Sequence, residues 1–510
     1  MVPQEIFFTT SDNVKLGGRL LLPQGVPGEA RPCVLLADGY GHTSTTGAGV
    51  EPPLMDLATR GYAGLHLSMR GSGNSEGEAN LYNKFGEDGY EVIEWMAKQP
   101  WCNGRVGMVG ASLLGISQWL TARKTPPSLK AIIPHVACGN CYDYVWYPGG
   151  MLPGPGRVAR GAVEYGSASQ HRDFDAYWQE RTTLSADHQR IAAQGIAVLT
   201  TGGWNDYISP ANLEAYEDMP ANAAKMMIWG PDAHGTMLKD VQPWSFFEYQ
   251  AMWMDRHLRG IDNGVGSNGQ ALIYVQGPDQ WRTESQWPIP DTQAVRLHLR
   301  ADRSGSIGSI NDGSLQPAAP ADAAGAATIS YSEQAGPFLP TLLSSSQGRY
   351  KADQRPVETR ALTWTTRQLP VATEVTGRAR LAFWASIHGQ DADFVVQLTD
   401  VAPDGTSTQV TVGYLNASHA DSRAAPQPVA QDTPKSYELN LWPTSYVFRA
   451  GHRIRIDLAG GAQAGTDLPG PQGPGKSPYD AVISILQDAG HPASIELPTI
   501  GTGGQQLVSN

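Results

Sequence analysis

The stretch RVGMVGASLLGISQW, residues 105–119, decides how the rest of the chain is read. Val106, Met108 and Val109 form a short apolar run ending at Gly110, and Leu113, Leu114, Ile116 and Trp119 follow at helical spacing, so the hydrophobic period changes at Ser112. That change predicts a buried strand, a sharp turn and a helix start. A serine on such a turn has its hydroxyl lifted above the sheet, provided that its neighbours are small enough to avoid collision. Gly110 is the small residue two before the serine; Leu114 stands two after it, and the next glycine, Gly115, three after. Taken alone, these residues also fit an ordinary glycine-bearing turn with a bystander serine.

The flanking sequence repeats the pattern. Residues 5–22 read as a hairpin turning at Ser11-Asp12-Asn13, and residues 32–37 (PCVLLA) as a buried strand ending at Asp38-Gly39-Tyr40-Gly41. A helix over 53–60, a strand over 62–67, a glycine-rich loop over 70–77 and a helix over 85–99 lead into the strand at 105–110; another strand covers 131–135. The alternation predicts a doubly wound, mostly parallel sheet, with its chemistry at the carboxyl ends of the strands, where Tyr40 and Ser112 stand. Residues 137–194, rich in aromatics, proline and glycine, read as an insertion. The sheet resumes with strands at 196–201 and 225–229, Ser209-Pro210 opening a helix between them as N-cap and first-turn proline, and a closing helix spans 244–259.

Beyond about residue 267 the period becomes two. Phe394, Val396 and Leu398, then Tyr437, Leu439 and Leu441, then Ile454, Ile456 and Leu458 alternate with other residues as in half-buried antiparallel strands, which predicts an all-β sandwich. Segments 316–327 and 460–476 lack periodicity and read as long surface loops. The domain boundaries expected are 1–136 and 195–266 for the α/β part, 137–194 for a small cap, and 267–510 for the β-sandwich.

With 510 residues the chain has room for about three cores. Its 37 basic and 49 acidic residues give a net charge of -12, and no basic block could track a phosphate backbone, so nucleic acid is not expected as a partner. No run of about 18 apolar residues and no signal-like amino terminus is seen, so no membrane association is expected and the cytoplasm is the expected location. Cys138 and Cys141 have a CGNC spacing without a second pair nearby, and two reduced cysteines near a loop are expected there; with Cys33 in an apolar strand and Cys102 beside Trp101, neither a disulfide framework nor a four-cysteine zinc site is expected.

A serine hydroxyl is a weak nucleophile and needs a base, a carboxylate that orients the base, and donors for the developing oxyanion. Ser112, Asp206 and His234 follow the candidate strand ends at 105–110, 196–201 and 225–229 in the order serine, acid, histidine, as in α/β-hydrolases. Asp206 also fits a helix cap and His234 an ordinary loop histidine, and Asp232 is a second candidate acid.

The chain resembles the cocaine esterase and X-prolyl dipeptidyl peptidase family of serine hydrolases. The resemblance rests on RGSGNSEG (70–77), DGYEVIEWMAKQPWCNGRVGMVGASLLG (88–115), GGWND (202–206), GPDAHG (230–235) and WMDRHLRG (253–260), with DADFVVQLTDVAPDG (391–405) and HRIRIDL (452–458) similar to the family's jelly-roll domain. It implies an elbow whose second glycine stands three residues after the serine, as Gly115 does. It further implies Ser112 as nucleophile, His234 as general base, Asp206 as orienting carboxylate, and an oxyanion hole of the Leu113 N–H and the Tyr40 hydroxyl, with His42 an alternative donor. Leu113 stands where the family often has tyrosine, Ser68 where it often has aspartate, and the insertion is short for a family cap. Trp204, Tyr144 and Trp146 are candidate pocket residues, although each also suits a core.

The expected activity is hydrolysis of small carboxylic esters or activated amides without metal or cofactor, the β-sandwich being a candidate surface for a homodimer. Acyl transfer or cyclisation by the same residues, X-prolyl dipeptidyl peptidase activity and a non-catalytic carbohydrate-binding role are the alternatives. No anionic site for a peptide amine is assignable from the sequence.

Overall fold

The computed structural model describes residues 3–23, 29–152, 168–234, 238, 240–267, 270–332, 336, 339–340, 352–463 and 477–509. The chain forms two compact units: Met1–Cys141, Ala176–Ile273 and Trp281–Trp287 make the first, and Tyr142–Asp175, Tyr274–Gln280 and Pro288–Asn510 the second.

The first unit is built on a ten-stranded sheet. In chain order its strands are β1 (Gln4–Thr9), β2 (Lys15–Leu21), β3 (Arg31–Asp38), β4 (Ala63–Ser68), β5 (Cys102–Ala111), β6 (Leu129–His135), β7 (Ala197–Gly203), β8 (Lys225–Gly230), β9 (Ala271–Val275) and β10 (Gln280–Glu284). They lie in the order β1-β2-β4-β3-β5-β6-β7-β8-β9-β10, antiparallel at β1-β2-β4 and parallel from β4 to β9. Every residue of β4, β7 and β8 is buried, as continuous apolar runs require of strands covered on both faces. The covering helices are α1 (Thr45–Val50), α2 (Pro52–Thr59), α3 (Phe85–Met96), α4 (Leu113–Arg123), α5 (Ala176–Arg181), α6 (Ser185–Ala193), α7 (Pro210–Asp218) and α8 (Phe246–Met254). Leu54 and Leu57 of α2 and Tyr249, Trp253 and Met254 of α8 share one core with Val34, Val109, Leu199 and Ile228 of the sheet. This is an α/β-hydrolase fold.

The second unit is a β-rich domain in which antiparallel pairing dominates. Its main path runs Ala326–Tyr331, Ala481–Leu486, Arg380–His388, Ser494–Ile500, Gln293–Arg303, Gly313–Gln316, Leu362–Thr365, Arg453–Ala459, Asp393–Val401 and Ser407–Asn416. The alternating apolar residues named from the sequence meet in one core. Two of these strands depart from half-burial: in Asp393–Val401 every residue is buried, and in Arg453–Ala459 so are Arg455 and Asp457. The second face is polar but dry. Arg455 pairs with the buried Glu358 at 2.5 Å and reaches Thr365 Oγ1 at 2.9 Å, so its charge is matched inside the unit.

Residues 137–194, read as one insertion, are divided: 137–141 and 176–194 fall in the first unit, and Tyr142–Asp175 in the second. Local contacts explain the second assignment. Gly149 lies against the backbone of Tyr414, Tyr144 rests on Trp442 with ring centroids 6.4 Å apart, and Arg423 pairs with Asp143 at 2.9 Å. Residues 153–167 of the insertion and most of the expected 460–476 loop lie outside the described residues.

The expectation of reduced cysteines is corrected. Cys33 is bonded to Cys102, and Cys138 to Cys141, leaving no free cysteine. The first bond joins neighbours on β3 and β5, strands that pair in the sheet but are separated by 69 positions in sequence. Among the described residues no helix is long and apolar enough to cross a membrane.

Candidate active site

β5 runs into α4 through Ser112, which takes φ 57° and ψ −123°, while Gly110 takes φ 138°. A non-glycine residue in that region is strained, and the surroundings fix it. The Ser112 N–H donates to the His135 carbonyl at the end of β6 (2.9 Å), and the Ser112 carbonyl accepts the N–H groups of Gly115 and Ile116. Gly115 lies where a Cβ would stand 2.4 Å from the Ala137 Cβ. The glycine three residues after the serine is therefore a point of close approach between α4 and the loop after β6. Leu114, two after, is instead fully buried beneath the turn, its Cβ 2.6 Å from the place a Gly110 Cβ would take.

The loops after β7 and β8 are laced together. Trp204 N–H donates to the Gly230 carbonyl (2.9 Å), the Asn205 side chain to the Pro231 carbonyl (2.6 Å), and Gly203 lies against the Asp232 backbone. This lacing brings Asp206 and His234 together: Asp206 Oδ1 is 3.1 Å from His234 Nδ1, and His234 Nε2 is 3.0 Å from Ser112 Oγ. Asp206 is fully buried, whereas the His234 side chain is 19% exposed, enough to be reached from the cavity. Asp206, not Asp232, is the carboxylate on this histidine. Ser209, expected as a helix cap, makes no capping bond; its hydroxyl donates to Asp206 Oδ2 at 2.5 Å. Tyr207, which sequence reasoning does not single out, lies edge-on to the His234 ring with centroids 5.1 Å apart.

Tyr40 follows β3. Its hydroxyl lies 3.4 Å from Ser112 Oγ, and its N–H donates to the Asp38 carboxylate at 2.7 Å. Leu113 opens α4, where a first-turn N–H has no partner within the helix. The Leu113 side chain does not line the cavity; it lies over Gly39, where a Cβ would meet Leu113 Cδ2 at 2.5 Å. His42 does not face the serine. It is buried, its Nδ1 2.6 Å from Ser68 Oγ and its Nε2 3.1 Å from Glu5.

A cavity of about 320 Å³ opens at Ser112 and His234, and its apolar wall includes Val50, Pro53, Val136 and Phe247. The sequence gives no sign of α1 and α2 as its walls, because neither helix carries a motif. His135 also lines it, its Nδ1 2.9 Å from Thr201 Oγ1. Trp204 is buried and packs against Trp229 and Trp287 at centroid distances of 6.0 and 5.7 Å. Tyr144 and Trp146 belong to the second unit. Among the described residues no group of three or more His, Cys, Asp or Glu side chains is placed to hold a metal ion.

Residues 12–167 and 155–236 match the X-Pro dipeptidyl-peptidase (S15 family) model, and residues 263–496 match the X-Pro dipeptidyl-peptidase C-terminal non-catalytic domain. The cocaine esterase of Rhodococcus sp. (strain MB1 Bresler) is 26% identical over 473 residues, 79% of this chain and 81% of that protein. Among solved structures, a CocE/NonD family hydrolase from Staphylococcus aureus superposes with a TM-score of 0.78 at 20% identity, covering 98% of this chain and 93% of that one. An α-amino acid ester hydrolase superposes with a TM-score of 0.78 at 19% identity, covering 98% and 96%. With the two domain matches spanning most of its length in the same order, this chain belongs to the cocaine esterase and X-prolyl dipeptidyl peptidase family of hydrolases.

Proposed function

We propose that the chain is a serine hydrolase that cleaves carboxylic esters through an acyl-enzyme. The observation that carries this reading is the hydrogen-bonded chain from Ser112 through His234 to Asp206 at the mouth of an apolar cavity. Ser112 Oγ attacks the ester carbonyl carbon while its proton passes to His234 Nε2. Asp206, accepting from Nδ1–H, holds the tautomer that leaves Nε2 free to take that proton and stabilises the imidazolium that results. The carbonyl oxygen becomes an oxyanion and is received by the Leu113 N–H and the Tyr40 hydroxyl. His234 then gives the proton to the departing alkoxide, and a water molecule activated by the same histidine releases the acid.

The cavity wall supports an apolar acyl or alcohol group as substrate. Among the described residues that line it there is no carboxylate to receive a peptide's free amine, and the cocaine esterase relative is named for an ester; these support ester over the X-prolyl peptide for which the matched family models are named. Ser112→Ala tests the reading with p-nitrophenyl esters and a fluorophosphonate probe. The expected result is a kcat loss of about a millionfold together with loss of labelling. Turnover and labelling that survive the substitution would sink it.

A further inference from the structure

His66, on β4, takes no part in the chemistry above, yet it joins two parts of the site. It is fully buried, and both ring nitrogens face carboxylates: Nε2 is 3.0 Å from Asp38 Oδ2, and Nδ1 is 3.2 Å from Glu51 Oε1. An ionised carboxylate only accepts, so a ring satisfied at both nitrogens donates at both and is an imidazolium. The other oxygen of Asp38 accepts the Tyr40 N–H. Glu51 joins α1 to α2, standing between the cavity-lining residues Val50 and Pro52. A single buried cation thus connects the backbone of Tyr40 to one wall of the cavity.

The charges around it fit that assignment. Asp38 faces His66 from β3 and Glu51 from the α1–α2 junction; Arg19, its register partner on β2, is 3.4 Å from Glu51 and 3.9 Å from Glu5 of β1. The His42 ring, 5.8 Å away, is a further titratable neighbour among the described residues. Burial pushes His42 below the usual histidine value, with Glu5 opposing. Burial pushes His66 the same way, but its bonds to Asp38 and Glu51 outweigh it and hold the ring above that value. The bond to His66 in turn holds Glu51 below the usual carboxylate range.

We propose that His66 is a positioning residue, which as a buried imidazolium holds Tyr40 and the α1–α2 wall in register with Ser112; the proposal rests on the oxyanion role given to Tyr40 above. Removing its proton leaves one nitrogen unable to donate, so either Asp38 or Glu51 loses a buried partner and the clamp opens at one end.

The test compares His66→Gln, Tyr40→Phe and the double variant on p-nitrophenyl esters, with pH profiles. His66→Gln should lower kcat by about ten- to a hundredfold, as a displacement of the reacting groups by a fraction of an ångström to 1 Å would. It should also abolish an alkaline decline in wild-type kcat, because the cation is present at low pH and is lost as pH rises through the raised pKa. In the Tyr40→Phe background its kcat effect should shrink to less than about threefold, since the two residues then act as one unit. The KM for a long-chain ester should still rise there through the loosened wall. Multiplicative kcat losses would mark His66 as merely structural and overturn the proposal. A second measurement needs no turnover: nitrogen-15 spectra of the His66 ring in wild type and in Ser112→Ala should show both nitrogens protonated at about pH 6.5, where a free imidazole is half neutral. A neutral ring there overturns the proposal as well. Absence of Ser112-dependent turnover in wild type would defeat the hydrolase reading and with it the positioning role, leaving the spectra to decide the charge of His66.

Discussion

Replacing Gly115 by alanine tests why this turn has its second glycine three residues after the serine. The added Cβ would stand 2.4 Å from the Ala137 Cβ and 3.2 Å from the His135 carbonyl oxygen. Carbon atoms pack at roughly 3.5–4.0 Å, so α4 and the loop after β6 must part by about 1 Å. Ala137 is two residues beyond His135, the end of β6, whose carbonyl accepts the Ser112 N–H, so parting moves the serine. In an open helix, glycine to alanine would stabilise by about 0.8–1 kcal/mol. Overpacking costs about 1–3 kcal/mol, which leaves a net destabilisation of about 0–2 kcal/mol. A displacement of about 1 Å in the nucleophile should reduce kcat by about a hundredfold. Urea denaturation and p-nitrophenyl ester kinetics on Gly115→Ala, Ala137→Gly and the double variant measure both effects. Ala137→Gly removes the colliding methyl, so the double variant should regain most of the lost kcat and be more stable than Gly115→Ala. A Gly115→Ala protein about 1 kcal/mol more stable than wild type with unchanged kcat would refute the argument, because it would show only the helix propensity term. A double variant no better than the single one would refute it too.

Two further outcomes concern buried groups. Burial pushes the Asp393 carboxyl up from the usual 3.8 to about 7, against the bond from Asn416. Its folded form therefore holds a proton that the unfolded chain releases, and this group destabilises the fold increasingly as pH rises from about 4 to about 7; the stability difference between Asp393→Asn and wild type should grow across that window in urea denaturation, and a constant difference would count against the burial argument. Thiol titration of the denatured, unreduced protein should find no free cysteine, and the same assay after reduction should find all four; four thiols before reduction would remove both disulfides.

What could be read from the sequence follows from which contacts are local. Parallel strands buried on both faces appear as unbroken apolar runs, so β3 to β8 and their order of use were legible, and the change of period at Ser112 marked the turn. Pairing across the sheet leaves no local trace, which is why the Cys33–Cys102 bond was missed. Alternation misled at Arg455 and Asp457: charged residues in a period-two pattern read as a wet face, but Glu358, far away in sequence, matches the Arg455 charge and lets the face close. Ser209 misled for a related reason. Its position before Pro210 has the form of a cap, while the carboxylate of Asp206 lies three residues back and takes the hydroxyl. Trp204 carries no sign of whether it faces a cavity or Trp229 and Trp287, because Trp229 stands on the neighbouring strand β8 and Trp287 beyond β10, far away in sequence.

The same limit applies to the two histidines that matter most. His234 and His66 each lie within 3.1 Å of a fully buried aspartate that stands at the end of a parallel strand or just after it, so neither the residue type nor the aspartate distinguishes them. The second ring nitrogen does. In His234 it faces the Ser112 hydroxyl, a group that can give up a proton and later be regenerated, and the side chain is partly exposed, so the ring can change charge without stranding a buried partner. In His66 it faces Glu51, and loss of the ring's charge would take one donor from a carboxylate at a fully buried ring, with no hydroxyl there to exchange a proton. One arrangement suits proton transfer and the other suits holding. Environment assigns opposite tasks to chemically identical pairs. The order of serine, acid and histidine along the chain could point to His234; only the fold, by bringing Glu51 over β4, could give His66 a task at all.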